Sequence, residues 1–153
     1  MKENHNVLNL SIFAERLSDL MFESNLNAPK FSQIINCGRA TINRYMSGNK
    51  MPSVDMVIKI ADYFQCSTDY LMGLDNEDYR QTYLKCPAFK DRFPNLLIYF
   101  NISRYKLQKS SGISESTLYY WSKGQTIPTI DKLITIANVL DCSLDFVLGR
   151  TKS

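Results

Sequence analysis

A chain of 153 residues, 44% hydrophobic and 22% charged, has the composition of an ordinary folded protein, which excludes wholesale disorder, and a net charge of +3 is too small to name a partner. The early chain holds no apolar run of signal-peptide length and no later run nears the roughly 20 residues of a membrane span, so a cytoplasmic protein with no membrane partner is expected. Cys37, Cys66, Cys86 and Cys142 form no CxxC pair and His5 is the only histidine, which excludes the usual zinc spacings and leaves free, buried or half-buried thiols.

The chain contains one pattern twice. Shifted by 76 positions, residues 13–74 align with 89–150 without a gap, and 16 of the 62 pairs are identical. QCSTDYLMG falls on DCSLDFVLG, MPSVDMVIKIAD on IPTIDKLITIAN, and FAERLSDLM on FKDRFPNLL. A tandem duplication follows, with a polar tail over 1–9, a first domain over 10–75, a linker over 76–87 and a second domain over 88–151. Domains of this size fall within the range that folds alone.

In the first copy, Phe13, Leu17, Leu20 and Met21 at i, i+4, i+7 and i+8 predict an amphipathic first helix. Asn27 caps a second short helix that stops near Asn36, a residue suited to a left-handed turn. A third helix is expected over 39–47, closed by Gly48. After Pro52, Ser53 caps a fourth helix with Asp55 in its first turn and with Val54, Val57, Ile58, Ala61 and Phe64 as its buried face. Ser67 caps a fifth, with Asp69 near its positive end. The linker is too apolar for a Gly/Ser tether, and Tyr79 and Tyr83 at i, i+4 predict a short helical connector.

The second copy repeats the series. Phe89, Phe93, Leu96 and Leu97 mark its first helix, which Pro94 either kinks or starts. Ser103 caps the second, which stops near Gly112, and the third covers 115–123 and closes at Gly124. Thr129 caps the fourth, with Asp131 in its first turn and Ile130, Leu133, Ile134, Ala137 and Leu140 buried. Ser143 caps the fifth, with Asp145 following. No alternation of period two predicts a strand. The expected fold class is all-α: two tandem five-helix domains joined by a short helical linker.

In each copy helices two and three are joined by a tight turn, and helix three has one apolar and one polar edge, as a helix laid in the major groove requires. In RATINRYMSG, Ile42 and Tyr45 face the core while Arg39, Ala40, Asn43 and Arg44 point outward. In STLYYWSKG, Trp121 aligns with Tyr45 and is expected in the core. Tyr119 and Tyr120 align with Asn43 and Arg44 and are expected to be exposed. Their hydroxyls suit phosphate or a base edge, and two adjacent exposed tyrosines equally suit a protein interface.

The helix-three pattern ending in Gly, the Pro and cap that follow, the IAD/IAN run and the ending CSxDxxxG cover nearly the whole chain. Together they resemble tandem helix-turn-helix domains of the Cro/phage-repressor (Xre) type, with a lambda-repressor-like fold. The resemblance implies sequence-specific binding of double-stranded DNA by a transcriptional regulator, a repressor, of bacterial or phage origin, with no cofactor. It implies base reading by Arg39, Ala40 and Arg44 in the first copy and by Glu115, Ser116 and Tyr120 in the second, with Asn43 beside them. Phosphate contact is implied at the start of helix two, which is Ala28 or Arg104, and from the neighbouring Lys30, Thr41, Lys50, Lys106 and Lys123. Where the family has Glu shortly before the Gly, this chain has Met46 and Ser122; where it has Ala in helix two, Ser32 and Gln108 stand. The family's dimer contact would place a homodimer interface near Tyr70, Leu71, Phe146 and Val147, residues that suit a core equally well.

Charge agrees with this layout. Residues 24–54 hold Lys30, Arg39, Arg44 and Lys50 and no acid, although 10–75 as a whole carries six basic against seven acidic residues. Residues 88–153 carry nine against five. A basic face at the motif is what neutralises phosphate. Over 52–74 and 128–150 nine of 23 pairs are identical, yet over 36–47 and 112–123 only one of twelve is, Thr41 with Thr117. The scaffold is kept and the reading surface changed. Arg39 and Arg44 suit bidentate pairing with guanine, whereas Glu115 suits cytosine and repels phosphate, so the first copy is the better base reader. The alternative is a protein-interaction module of antitoxin or antirepressor type, in which Tyr119, Tyr120 and Glu115 of the second copy meet a protein. With no Gly-rich phosphate loop and no nucleophile beside a histidine, no catalytic site is expected.

Overall fold

A computed structural model describes residues 8–78 and 81–152. Among them are ten α-helices and no strand, and the chain divides into two compact units, one of Leu8–Thr82 and one that begins at Tyr83. The all-α class and five helices per copy match the expectation.

The first unit holds α1 (Leu10–Glu23), α2 (Ala28–Ile34), α3 (Arg39–Met46), α4 (Val54–Phe64) and α5 (Thr68–Leu71). Asn9 starts α1 by accepting from the amides of Ser11 and Ile12, so the segment read as a tail supplies the first cap. Residues 1–7, with His5, lie outside the described residues. One stripe of α1, Phe13, Ala14, Leu17, Leu20 and Met21, is buried, as the periodicity requires. Asn25 and Asn36, at φ 56° and 54°, make the left-handed turns that end α1 and α2; Asn tolerates that region better than most residues. Asn27 Oδ1 accepts from Lys30 N at 2.9 Å, and Ser53 and Ser67 cap α4 and α5 in the same way. On α4 the innermost residues are Val54, Val57, Ile60, Ala61 and Phe64. Ile58, expected among them, is half-buried. Because α4 packs against α5 and, through Phe64 on Phe31 at 5.3 Å, against α2, its buried arc is wider than one amphipathic stripe and takes in Ile60.

The second unit holds α6 (Phe89–Tyr99), α7 (Arg104–Ser111), α8 (Glu115–Lys123), α9 (Ile130–Leu140) and α10 (Leu144–Leu148). Pro94 lies inside α6 rather than at its start. Phe93 and Leu96 are buried and Phe89 and Leu97 half-buried, with Phe89 stacked on Phe93 and both edge-on to Trp121. Ser103, Ser114 and Ser143 each accept from an amide of the following helix. Thr129 holds the N-cap position of α9 but its hydroxyl makes no capping bond, which departs from the expectation. Ile136 joins the predicted buried face of α9, again because that helix meets two neighbours, α7 and α10.

A pair of arginines identical between the copies has a role the sequence pattern did not show. Arg16 of α1 donates to the carbonyls of Tyr70 and Asp75 and lies over the Tyr70 ring, 4.2 Å from its centroid. Arg92 of α6 donates to the carbonyl of Phe146 and lies over that ring at 4.7 Å. Each buckles the first helix of its unit to the last. Leu71, Phe146 and Val147 are buried within their own units and Tyr70 is half-buried beneath Arg16, so the residues named for a dimer contact serve their own cores.

The described part of the linker, 76–78 and 81–87, forms no helix, and Tyr79 lies outside the described residues. Leu84 N donates to Arg150 O at 2.8 Å, and the Tyr83 ring covers the Arg150 guanidinium at 4.0 Å. The backbone here makes tertiary bonds instead of i→i−4 bonds, and Pro87 has no amide to give and biases Cys86 away from helix. None of the four cysteines is in a disulfide; Cys66 is buried and the others half-buried.

Candidate nucleic-acid interface

In the first unit Asn36, Cys37 and Gly38 link α2 to α3, with Cys37 N bonded to Ser32 O at 2.9 Å. The turn is tight enough that α2 braces α3. Ile42 and Tyr45 are 0% and 3% exposed, and Tyr45 packs edge-on to Phe13. Burial pushes the Tyr45 hydroxyl above its ordinary pKa, and neighbouring Cys37 adds to the shift. On the other side of α3, Arg39, Ala40, Asn43 and Arg44 are all exposed. Lys30 is exposed too, Thr41 and Lys50 are half-buried, and Ala28 is buried. Gly38 gives α3 no side-chain cap and its first turn has no acid. Its positive dipole end thus carries the exposed Arg39 and no acid, an arrangement that favours an anion.

The second unit builds the same frame with different chemistry. Gly112, at φ 76°, makes the turn that Asn36 makes in the first unit, and Ile113 is buried where Cys37 is half-buried. Leu118 and Trp121 fill the inner side of α8 at 0% and 2% exposure. Glu115, Ser116, Tyr119 and Tyr120 are exposed, as are Lys106 and Lys123, while Arg104 is half-buried. Unlike α3, α8 is capped by Ser114 and has an acid in its first turn. Arg104 Nη2 stands 3.5 Å from Glu115 Oε1, and the same guanidinium lies over the Tyr119 ring at 5.4 Å. The spacing of Glu115, Tyr119 and Lys123 was visible in the sequence. The Arg104 link was not, because it depends on how α7 crosses α8.

Every residue expected at the reading face lies on α3 or α8, or on the helix and loops that brace them. Among the described residues no group of three or more His, Cys, Asp or Glu could hold a metal ion, and no helix is long and apolar enough to cross a membrane.

Comparison with curated proteins and with solved structures gives no match. The helix-turn-helix family model matches twice, over residues 24–71 and 100–147. Each match spans the brace, turn, outward-facing helix and following two helices of one unit. The chain therefore belongs to the helix-turn-helix family of DNA-binding domains, of the Cro/C1 type, and carries that domain twice.

Proposed function

We propose that the protein binds double-stranded DNA at specific sequences and represses transcription from them, in the cytoplasm of a bacterium or a phage-infected cell, with α3 as the principal helix in the major groove. One observation carries this reading: Arg39, Ala40, Asn43 and Arg44 are all exposed on one side of a helix whose other side is buried, within a stretch, 24–54, that contains no acid. A guanidinium pair on such a face reads guanine by bidentate bonds while Lys30, Thr41 and Lys50 meet phosphates. The second unit adds contacts through Ser116, Tyr120, Arg104, Lys106 and Lys123, and the covalent link raises its effective concentration at the site. Occupancy of the DNA suffices for repression.

Selection from a random duplex pool with the intact chain tests this reading, followed by titration against salt. Enrichment of a motif, with log affinity falling steeply as log salt rises, is the expected result. Flat salt dependence without enrichment would abandon it. A second reading rests on Tyr119 and Tyr120, adjacent and 40% and 43% exposed: the second unit docks on a protein, as an antitoxin or antirepressor would. A stable protein complex that DNA does not displace would favour it.

A further inference from the structure

In the second unit one ion pair crosses from α7 to α8. Arg104 and Glu115 are the first residues of those helices, and their side chains, 3.5 Å apart, are 37% and 46% exposed. The Arg104 guanidinium also lies over Tyr119, and Lys123 Nζ stands 5.6 Å from the centroid of the same ring. Glu115, Tyr119 and Lys123 fall at i, i+4 and i+8 and so make one row along α8. The repeat puts Ala28, Arg39, Asn43 and Ser47 at the four matching positions of the first unit, where no such pair can form.

The row contains a conflict. Arg104 and Lys123 carry the charge a phosphate needs, and Glu115 carries the charge it repels. Glu115 gains from the positive end of α8, but the cap there is already made by Ser114, which accepts from Thr117 N at 3.2 Å. An ion pair this exposed is worth only roughly 0.2–1 kcal/mol, so it lowers the availability of Arg104 without locking it.

Resting on the reading that the second unit meets duplex DNA, we propose that Glu115 determines specificity by withholding Arg104. Paired with Glu115, that guanidinium is kept off the phosphates of arbitrary sequence. It is released where a cytosine amino group in the major groove offers Glu115 a replacement donor. The second unit thus adheres poorly to duplexes that lack this cytosine, and the acid-free face of the first unit supplies the affinity. Discrimination comes from a penalty on wrong sites as much as from a contact to the right one.

The test titrates the intact chain against salt, on a random-sequence duplex and on the best selected duplex. It compares wild type, Glu115→Gln, Arg104→Gln and the double variant, each checked for helix content. Glu115→Gln is expected to bind the random duplex up to about fivefold more tightly, the most that release from an exposed pair can give, and to steepen the log–log salt slope by up to about 0.9, the value for one added phosphate contact. Its preference for the selected duplex should fall to match. With Arg104 already replaced, the same substitution should leave the slope unchanged. A wild-type slope in Glu115→Gln, or a change that persists without Arg104, overturns the proposal alone. If wild type itself shows neither enrichment nor salt-dependent binding, the DNA reading falls and this proposal with it.

Discussion

Arg150 Nη1 lies 2.6 Å from Asp145 Oδ1, with the two side chains 0% and 6% exposed. The residues are five apart, so the contact closes the turn after α10, and the Arg150 amide bonds to the Asp145 carbonyl at 2.8 Å. Such a pair stabilises little over two apolar residues, but removing one member takes the ion-pair partner from a buried charge. Asp145→Ala is expected to cost about 3–5 kcal/mol in the second unit, seen as an earlier step in urea unfolding of the intact chain. Asp145→Leu with Arg150→Met should cost far less. Equal costs would show that the two side chains are not coupled.

Arg39 and Arg44 are exposed and make no contribution to the core. Replacing either by alanine should leave the melting temperature within a degree or two while reducing discrimination at one base position by about 1–3 kcal/mol. Competition between single-base variants of the selected duplex measures this directly. Unchanged selectivity in both variants would remove α3 from base reading.

Trp121 and Tyr120 are neighbours in opposite environments, 2% and 43% exposed. Trp121 meets Phe89 and Phe93 at ring distances of 5.9 and 5.8 Å and is almost wholly buried. Trp121→Ala should cost about 3–5 kcal/mol, whereas Tyr120→Ala should stay within about 0.5 kcal/mol and instead alter binding to DNA or to a partner. Denaturation midpoints of both variants decide the point.

Tyr45 keeps its proton to a higher pH in the fold than its ordinary value of 10.0, chiefly because burial disfavours the phenolate. The unfolded chain ionises first as pH rises. The stability this group contributes is therefore complete below pH 10 and is lost as pH climbs through the folded value. Between about pH 9 and 11, the first unit of Tyr45→Phe should lose less stability than wild type. Parallel losses in the two proteins would contradict this.

The repeat, the helix count and the two outward faces were legible because each depends on local rules: caps at Asn27, Ser53, Ser67, Ser103 and Ser143, turns at Asn36 and Gly112, and stripes of apolar residues at helical spacing. Ile60 and Ile136 escaped because a single-stripe rule does not register a helix packed on two sides. Arg16 and Arg92 escaped because charge at helical spacing reads as a solvated face, and their carbonyl partners lie 54 residues away. The Tyr79–Tyr83 spacing misled because period alone cannot tell that Leu84 has a bonding partner at Arg150. On α7 and α8 the residue types were visible, but the cross-helix pairing of Arg104 with Glu115 was not.

The cover that Tyr83 lays over Arg150 also bears on how the two copies drifted apart. The offset that aligns the repeat sets Arg150 against Leu74. The second copy has a guanidinium under a ring where the first has an aliphatic residue. Replacing Arg150 by Leu would remove the ion pair with Asp145 and the cation beneath Tyr83; replacing Tyr83 by Val would uncover a guanidinium that is otherwise shut from water. Neither single replacement is expected to be neutral. Residue 150 of the second copy thus answers to two others at once, and a change there is felt at both Asp145 and Tyr83.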